Sequence, residues 1–118
     1  MGKRVVAITS CITGIAHTYM AAKALENAAE ELGYEISVEK QGASGAEDVL
    51  SAEDIAAADA VVFATDKAVD ESRFVGKDVL KISCDAGIKD SKGAIEKAVS
   101  KTGTVRISGE EQSALQSR

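Results

Sequence analysis

The sequence has little of several residue types that would point to other classes of protein. It has no proline and no tryptophan, and aromatic residues make up only 3% of its 118 positions. Because 45% of the residues are nevertheless hydrophobic, the core must be built from alanine, valine, isoleucine and leucine, which suits close packing of helices on a sheet. We expect a chain of this length to form a single domain with a stable core.

Positive charge and long apolar runs are also scarce. Lysine and arginine number 14 against 19 aspartate and glutamate residues, which gives a net charge of −5. Proteins that bind nucleic acid present a basic face, so we predict no nucleic-acid partner. No apolar run reaches the roughly 18 residues of a membrane span, and the apolar run near the N-terminus is too short for a signal peptide. We therefore expect a cytoplasmic domain without direct membrane insertion.

Cysteine and histidine are rare as well. Cys11 and Cys84 lie far apart in the sequence, and His17 is the single histidine. We predict that these three residues form no metal-ligand cluster and that the thiols are reduced, as in a cytosolic protein. The sequence therefore indicates no metal site and no cofactor.

Hydrophobic patterning predicts strands that alternate with helices. Two strands are nearly continuously apolar, as in the interior of a sheet, and two contain alternating polar or charged positions, as at its edges. The four predicted strands are residues 3–9, 35–39, 60–65 and 78–82. A helix is predicted over 14–32 and ends at Gly33. Ser51 and Asp54 resemble a capping box for a helix through Ala58, and Ser91 can cap a last helix.

This alternation is typical of an α/β fold. We predict a three-layer, doubly wound domain with a four-stranded parallel sheet in the order 2-1-3-4 and helices on both faces. Residues 1–103 are expected to form this domain, and residues 104–118 a partly disordered C-terminal extension. Within the extension, residues 104–107 have a weak strand pattern.

Cys11 is predicted to lie where the first strand passes into the first helix. Ligands of such sheets bind beyond the carboxyl ends of the strands, at the switch point between strands one and three. Unpaired N–H groups and the dipole at the start of a helix form an anion site. The same position lowers the pKa of a cysteine thiol from about 8.5. We therefore predict that Cys11 is a thiolate that attacks phosphorus and carries a phosphoryl group.

The residues after Cys11 are predicted to bind the phosphoryl oxygens through backbone N–H groups, with hydroxyl groups bonding either the phosphate or the helix start. His17 is expected either to donate to the thiolate or the phosphoryl oxygens or simply to pack in the first helical turn. The loop contains no lysine or arginine, which suits a relay better than a hydrolase. The predicted phosphate-binding loop comprises Ile12, Thr13, Gly14, Ile15, Ala16, His17 and Thr18.

Gln41 and Asp66 are candidates for a place near this loop, whereas Arg73 and Cys84 are expected to have other roles. Gln41 follows the second predicted strand and Asp66 the third, so both can shape or orient the loop, although ordinary loop polarity explains each equally well. Arg73 is expected to form a surface ion pair, with contact to an incoming phosphoryl group as the alternative. Cys84 is expected to have a structural role at the edge of the sheet.

The segment Cys11–Ala22 resembles the active-site signature of fructose-specific enzyme IIB of the bacterial phosphoenolpyruvate–sugar phosphotransferase system. The resemblance continues in residues 38–42, 54–61 and 73–77 and covers about residues 4–100. It implies that Cys11 accepts a phosphoryl group from a phosphohistidine of enzyme IIA and passes it to fructose, or a similar sugar, bound by the membrane enzyme IIC. Such a phosphotransferase would associate peripherally with its transporter, through a surface around the loop that includes Ile12 and Ile15.

One position departs from the family's pattern, because the family usually has proline where this chain has Ile12. Isoleucine keeps the N–H group that proline lacks, so we expect one more donor to the phosphate. The difference makes a fructose-like system plausible.

Two other functions fit parts of the pattern. A low-molecular-weight cysteine phosphatase also places cysteine and an anion loop after the first strand. It has arginine six residues later, where this chain has His17, and a downstream Asp-Pro acid, whereas this chain has no proline. The other alternative is a non-catalytic regulatory or flavin-binding module, against which the low aromatic content argues.

Overall fold

The computed structural model describes residues 3–12, 14–42, 45–66 and 72–107. Within these residues one sheet has the strand order β3-β2-β1-β4-β5-β6. The strands are β1 (Arg4–Ser10), β2 (Glu35–Gly42), β3 (Gly45–Glu47), β4 (Ala60–Thr65), β5 (Asp78–Ile82) and β6 (Val105–Arg106). The helices are α1 (Ile15–Leu32), α2 (Ala52–Ala57), α3 (Cys84–Lys89) and α4 (Ser91–Ser100), and a 3-10 turn covers Ser72–Phe74.

The structure confirms the α/β class but not the four-stranded parallel sheet. β2, β1, β4 and β5 lie side by side and pair in parallel. β3 then pairs antiparallel with β2, and β6 pairs antiparallel with β5, so the sheet is mixed and the two predicted edge strands are interior. Strands of three and two residues are too short to show a period in the sequence, which is why β3 was not predicted.

Helices cover both faces of this sheet. Alternate residues of a strand point to opposite faces, and the two sets enter separate apolar clusters. One cluster joins Val5 and Val62 to Leu25 of α1 and Ile95 of α4. The other cluster joins the opposite face to α2 and the 3-10 turn, through Val6, Ile8, Phe63, Ile55 and Phe74. The continuous apolar runs of β1 and β4 therefore reflect burial on two sides.

Most predicted helix boundaries agree with the structure. Gly33 ends α1 in the left-handed conformation with φ 78°, and Ser51 and Asp54 form the predicted capping box of α2. α4 begins at Ser91, but its N-cap residue is Asp90. The helix α3 was not predicted, although Ser83 caps it by accepting a hydrogen bond from the Ala86 N–H group. This Ser cap is the signal that sequence reasoning missed.

The C-terminal segment joins the sheet as far as Ile107. Val105 pairs with Val79, and Arg106 pairs with Asp78, while Ile107 is buried in the cluster that contains Phe74. The weak strand pattern in residues 104–107 thus corresponds to β6. Residues 108–118 lie outside the described residues, so a disordered extension there stays a prediction.

A buried ion pair fixes the carboxyl end of β2. The Glu39 side chain is only 2% exposed, and its two oxygens accept hydrogen bonds from Nη1 and Nη2 of Arg73, both at 2.9 Å. The Leu50 N–H group and Gln41 Nε2 donate to the same carboxylate at 2.9 Å and 2.6 Å. Arg73 was expected in a surface pair; it does form an ion pair, but with a buried partner.

These contacts govern the ionisation of Glu39. Burial by itself raises the pKa of the Glu39 carboxyl, but the hydrogen bonds from Arg73, Leu50 and Gln41 outweigh it, and the pKa lies below its ordinary value of 4.5. The charged form is therefore the one that the fold stabilises.

We predict that Arg73→Ala lowers the free energy of unfolding by about 3 kcal/mol at pH 7, because a buried carboxylate loses its charged partner. The matched control is Arg4→Ala, which breaks the exposed pair with Glu35 and should cost about 0–1 kcal/mol. Urea unfolding of both variants measures the two losses, and equal losses would contradict the assignment.

The pH dependence of this loss has a definite sign. Since the pKa of Glu39 is lowered by folding, the ion pair stabilises the fold above pH 4.5, and its contribution fades as pH falls through the lower pKa of the folded state. The stability difference between the unmodified chain and Arg73→Ala should therefore narrow below pH 4.5. A difference that widens in acid would contradict this pairing.

Candidate active site

Cys11 directly follows β1 and is held against the first turn of α1. Its N–H group donates to Oγ1 of Thr18 at 3.1 Å, and that hydroxyl donates to the Gly14 carbonyl at 3.3 Å. Thr18 is fully buried. Gly14, the N-cap residue of α1, has φ 128°, a value that glycine adopts far more easily than other residues. Of the two roles predicted for the Thr18 hydroxyl, the structure shows the bond to the helix start.

The backbone N–H groups of the predicted loop divide into two sets. Ile12 donates to Oδ2 of Asp66 at 3.4 Å, and Gly14 donates to the Cys11 carbonyl at 3.4 Å. Residues 15 and 16 lie in the first turn of α1, where N–H groups have no acceptor within the helix, and the N-cap residue Gly14 has no side chain to cap this end. The described part of the anion site is therefore the first turn of α1. Thr13 and the side chain of Ile15 lie outside the described residues.

Asp66 connects this loop to the start of α3. Its Oδ1 accepts a hydrogen bond from the Cys84 N–H group at 3.2 Å, while its Oδ2 accepts the one from Ile12. Of the two accessory residues that the sequence suggested, Asp66 thus lies at the site. Gln41 instead donates to Glu39. The N–H group that Ile12 has in place of a proline is used within the protein, rather than left open for phosphate.

Cys84 corrects the prediction for the two cysteines. Cys11 and Cys84 form a disulfide with a Cα–Cα distance of 5.7 Å, and both are buried in one cluster with Ala21. The prediction that the thiols are reduced does not agree with this disulfide, and the placement of Cys84 at a sheet edge is wrong. Cys84 is the first residue of α3 and lies at the same end of the sheet as Cys11.

The strand register explains why these residues meet. Ser10 pairs with Thr65, and Ala64 pairs with Ile82, so Ser83 is level with Thr65. The next row therefore contains Cys11, Asp66 and Cys84. Their sulfur and carboxylate atoms lie within 4.8 Å of one another. Two strand spacings would separate the outer residues by about 9–10 Å. The Cα atoms of Cys11 and Cys84 are only 5.7 Å apart. The two segments that carry the cysteines therefore turn toward each other beyond the end of β4.

His17, in the first turn of α1, lies close to the start of α3. Its Nε2 is 3.2 Å from Oδ1 of Asp85 in the first turn of α3, and its side chain is 25% exposed. Of the roles predicted for His17, packing in the first helical turn agrees with this position. The pair joins the starts of α1 and α3, the two segments that carry the cysteines.

The residue after Cys11 and the second turn of α1 carry exposed apolar side chains. Ile12 is 66% exposed, and Met20, on the second turn of α1, is 57% exposed. Tyr19 is also exposed, and its hydroxyl hydrogen-bonds to Glu47 of β3. Large apolar side chains beside a reactive residue are typical of a surface that contacts another protein.

We predict that Thr18→Val lowers the free energy of unfolding by about 1–3 kcal/mol, because the buried Cys11 N–H group loses its acceptor. Thr18→Ser is the matched control, since it keeps the hydroxyl at the same position. Urea unfolding under reducing conditions measures both variants. If valine and serine have equal effects, the bond does not hold the loop.

Comparison with known proteins relates this site to one family. The family described as "PTS system, Lactose/Cellobiose specific IIB subunit" matches residues 6–97. A PTS fructose-specific EIIB'BC component from Xanthomonas campestris is 52% identical over 102 residues, which are 86% of this chain and 18% of that protein. A fructose-specific EIIB component from Haloferax volcanii is 47% identical and covers 86% of this chain and 68% of its own length.

Solved structures agree with these sequence relatives. A domain of a fructose-specific IIABC component from Borrelia burgdorferi superposes with a TM-score of 0.81 at 43% identity, over 85% of this chain and 96% of that domain. A domain of FruA from Bacillus subtilis superposes with a TM-score of 0.77 at 46% identity, over 83% of this chain and 94% of that domain.

The relatives differ widely in length. This chain spans only 18%, 17% and 15% of three multidomain relatives, whereas it spans 90% of a fructose-like EIIB component 2 from Escherichia coli, at 42% identity. In the described residues no helix has the length and apolar character to cross a membrane. The match over residues 6–97, together with these identities, shows that the chain belongs to the IIB subunits of the PTS, the sugar phosphotransferase system.

Proposed function

We propose that this chain is a phosphotransferase that carries a phosphoryl group on Sγ of Cys11. The donor is a phosphohistidine of an enzyme IIA, and the acceptor is a sugar bound by the membrane enzyme IIC. The observation that carries the proposal is the place of Cys11, between the carboxyl end of β1 and the first turn of α1. The similarity to IIB subunits supports it.

The chemistry follows from this position. The Cys11 thiolate attacks phosphorus, an S–P bond forms, and the N–P bond of the phosphohistidine breaks. The N–H groups of residues 15 and 16 and the dipole of α1 stabilise the phosphoryl oxygens. A sugar hydroxyl then attacks phosphorus, the S–P bond breaks, and the thiolate is restored. With no lysine or arginine among residues 11–18, the phosphoryl group is held moderately and can leave.

The sugar and the partners are argued from the relatives. Several related proteins are named fructose-specific or fructose-like, so we propose fructose or a similar sugar. Names such as EIIB'BC and EIIABC join B and C components in one protein, which supports a IIC partner. The docking surface is the apolar region around Ile12, and the domain works in the cytoplasm at the face of its membrane partner.

The proposed reaction requires reduced Cys11, because a sulfur in a disulfide has no thiolate to attack phosphorus. We predict that the reduced chain, incubated with phosphoenolpyruvate, the general phosphotransferase proteins and the matching enzyme IIA, gains one phosphoryl group on Cys11. Mass spectrometry of proteolytic peptides identifies the modified residue.

Two variants serve as controls for this assay. Cys11→Ser should lose the label, and Cys84→Ala should keep it. A label on His17 or on Cys84 would overturn the proposal. Steady hydrolysis of an aryl phosphate, lost in Cys11→Ser, would instead support a phosphatase, and a bound yellow chromophore in the purified chain would support a flavin module.

We also predict that reduced Cys11 reacts with iodoacetamide faster than Cys84 at pH 7. The first turn of the 18-residue helix α1 stabilises the Cys11 thiolate, so its alkylation rate should rise with a midpoint below about pH 8.5. Because Cys84 is the more deeply buried residue, the midpoint is a better measure of ionisation than the rate alone. A midpoint at or above that of a free cysteine would show that the thiol is not activated.

A further inference from the structure

We propose that Cys11 and Cys84 form a site of reversible thiol oxidation, at which a hydroperoxide converts the reduced pair to the disulfide and a dithiol reductant restores it. Oxidation would switch off the phosphoryl carrier and protect Cys11 from irreversible damage. The effect on phosphoryl transfer rests on the proposed function, whereas formation of the disulfide does not.

Contacts other than the bond itself also join the two segments that carry the cysteines. Their Cα atoms are 5.7 Å apart, inside the range of about 4.4–6.8 Å that disulfides require. Asp66 accepts hydrogen bonds from the residue after Cys11 and from Cys84 itself. The His17–Asp85 pair joins the two helix starts. A reduced pair in this setting is poised to close.

Apolar packing adds to this restraint. Cys11 and Cys84 share a buried cluster with Ala21 of α1, and Ile88 of α3 packs against it. The structure thus places Cys84 in the wall of the Cys11 site. A cysteine that served only to fill the core would not need to face the one sulfur proposed to react.

The two reactions of Cys11 draw on the same property. A position at the start of a helix favours the thiolate, and the thiolate is the form that attacks both phosphorus and peroxides. Low-pKa cysteines that respond to oxidants often lie beside a second cysteine that resolves the first oxidation product. Cys84 has this place relative to Cys11.

The proposed step balances with a hydroperoxide as oxidant. The Cys11 thiolate attacks one oxygen of hydrogen peroxide, the O–O bond breaks, and a sulfenic acid and hydroxide form. The Cys84 sulfur then attacks the Cys11 sulfur, the S–O bond breaks, and an S–S bond and water form. In total two thiols lose two electrons and two protons, and one peroxide becomes two molecules of water. A dithiol reverses the result by thiol–disulfide exchange.

Cys84→Ala is the variant that tests the resolving role. Without Cys84, the sulfenic acid on Cys11 cannot close to a disulfide and proceeds to sulfinic and sulfonic acids, which a dithiol does not reduce. The full chain and the variant are reduced, exposed to a several-fold excess of hydrogen peroxide for a fixed time, and then treated with dithiothreitol. Phosphoryl acceptance and intact mass are measured before and after each step.

The expected results differ sharply. The unmodified chain loses two hydrogen atoms in mass, yields a peptide pair that links residues 11 and 84, and accepts no phosphoryl group until dithiothreitol restores most of its capacity. Cys84→Ala gains oxygen atoms and stays inactive, so its recovered capacity should be on the order of tenfold lower than that of the unmodified chain.

Three outcomes would overturn the inference. One is that peroxide yields no 11–84 linked peptide in the unmodified chain, a test that needs no variant. The second is that Cys84→Ala recovers as fully as the unmodified chain. The third is that dithiothreitol cannot open the bond in the folded chain, which would make the disulfide constitutive. If the linked peptide forms but reduced Cys11 accepts no phosphoryl group, the proposed function fails and the oxidation site stands.

Discussion

The arrangement of the site depends on the register of three parallel strands. β1, β4 and β5 are aligned so that Ser10 is level with Thr65 and Ala64 with Ile82. The residues directly after Ser10 and Thr65 and the second residue after Ile82 therefore emerge in one row at the carboxyl edge. That row contains Cys11, Asp66 and Cys84. A shift of one residue in β5 would move Cys84 out of the row. The apolar cores on both faces of the sheet fix this register, so packing remote from the site determines which side chains meet there.

Asp66, in the middle of the row, is suited to hold two segments at once. Each of its oxygens accepts one backbone N–H group, from Ile12 on one side and from Cys84 on the other. Both donors are backbone N–H groups, so no long side chain has to fit between the loop and the start of α3. The two segments can therefore approach closely. Thr18 fixes the loop from the opposite side. The loop is therefore positioned by bonds to its own backbone, and the side chain of Ile12 stays exposed.

The sequence predicted the main features for physical reasons that act locally. The continuous apolar runs of β1 and β4, the Gly33 stop and the Ser51 capping box depend on short segments, and each is present in the structure. The place of Cys11 between β1 and α1 follows from the same patterns. β3, β6 and α3 are short segments whose structure depends on contacts with neighbouring elements. Sequence patterns therefore missed β3 and α3 and indicated β6 only weakly. The approach of Cys84 to Cys11 depends on strand order and register together, neither of which a linear pattern contains.

The departure from the family pattern at Ile12 changes the hydrogen bonding of the loop. The sequence suggested that its N–H group would serve the phosphate, but the structure gives that group to Asp66. A proline at this position could not donate, so a chain with proline there would lack one of the two bonds that join the Cys11 loop to the start of α3. In this chain both bonds are present, and the segment that carries Cys84 is held to the segment that carries Cys11. The departure therefore bears less on phosphate binding than on the distance between the two sulfurs, which is the quantity that decides whether they can bond.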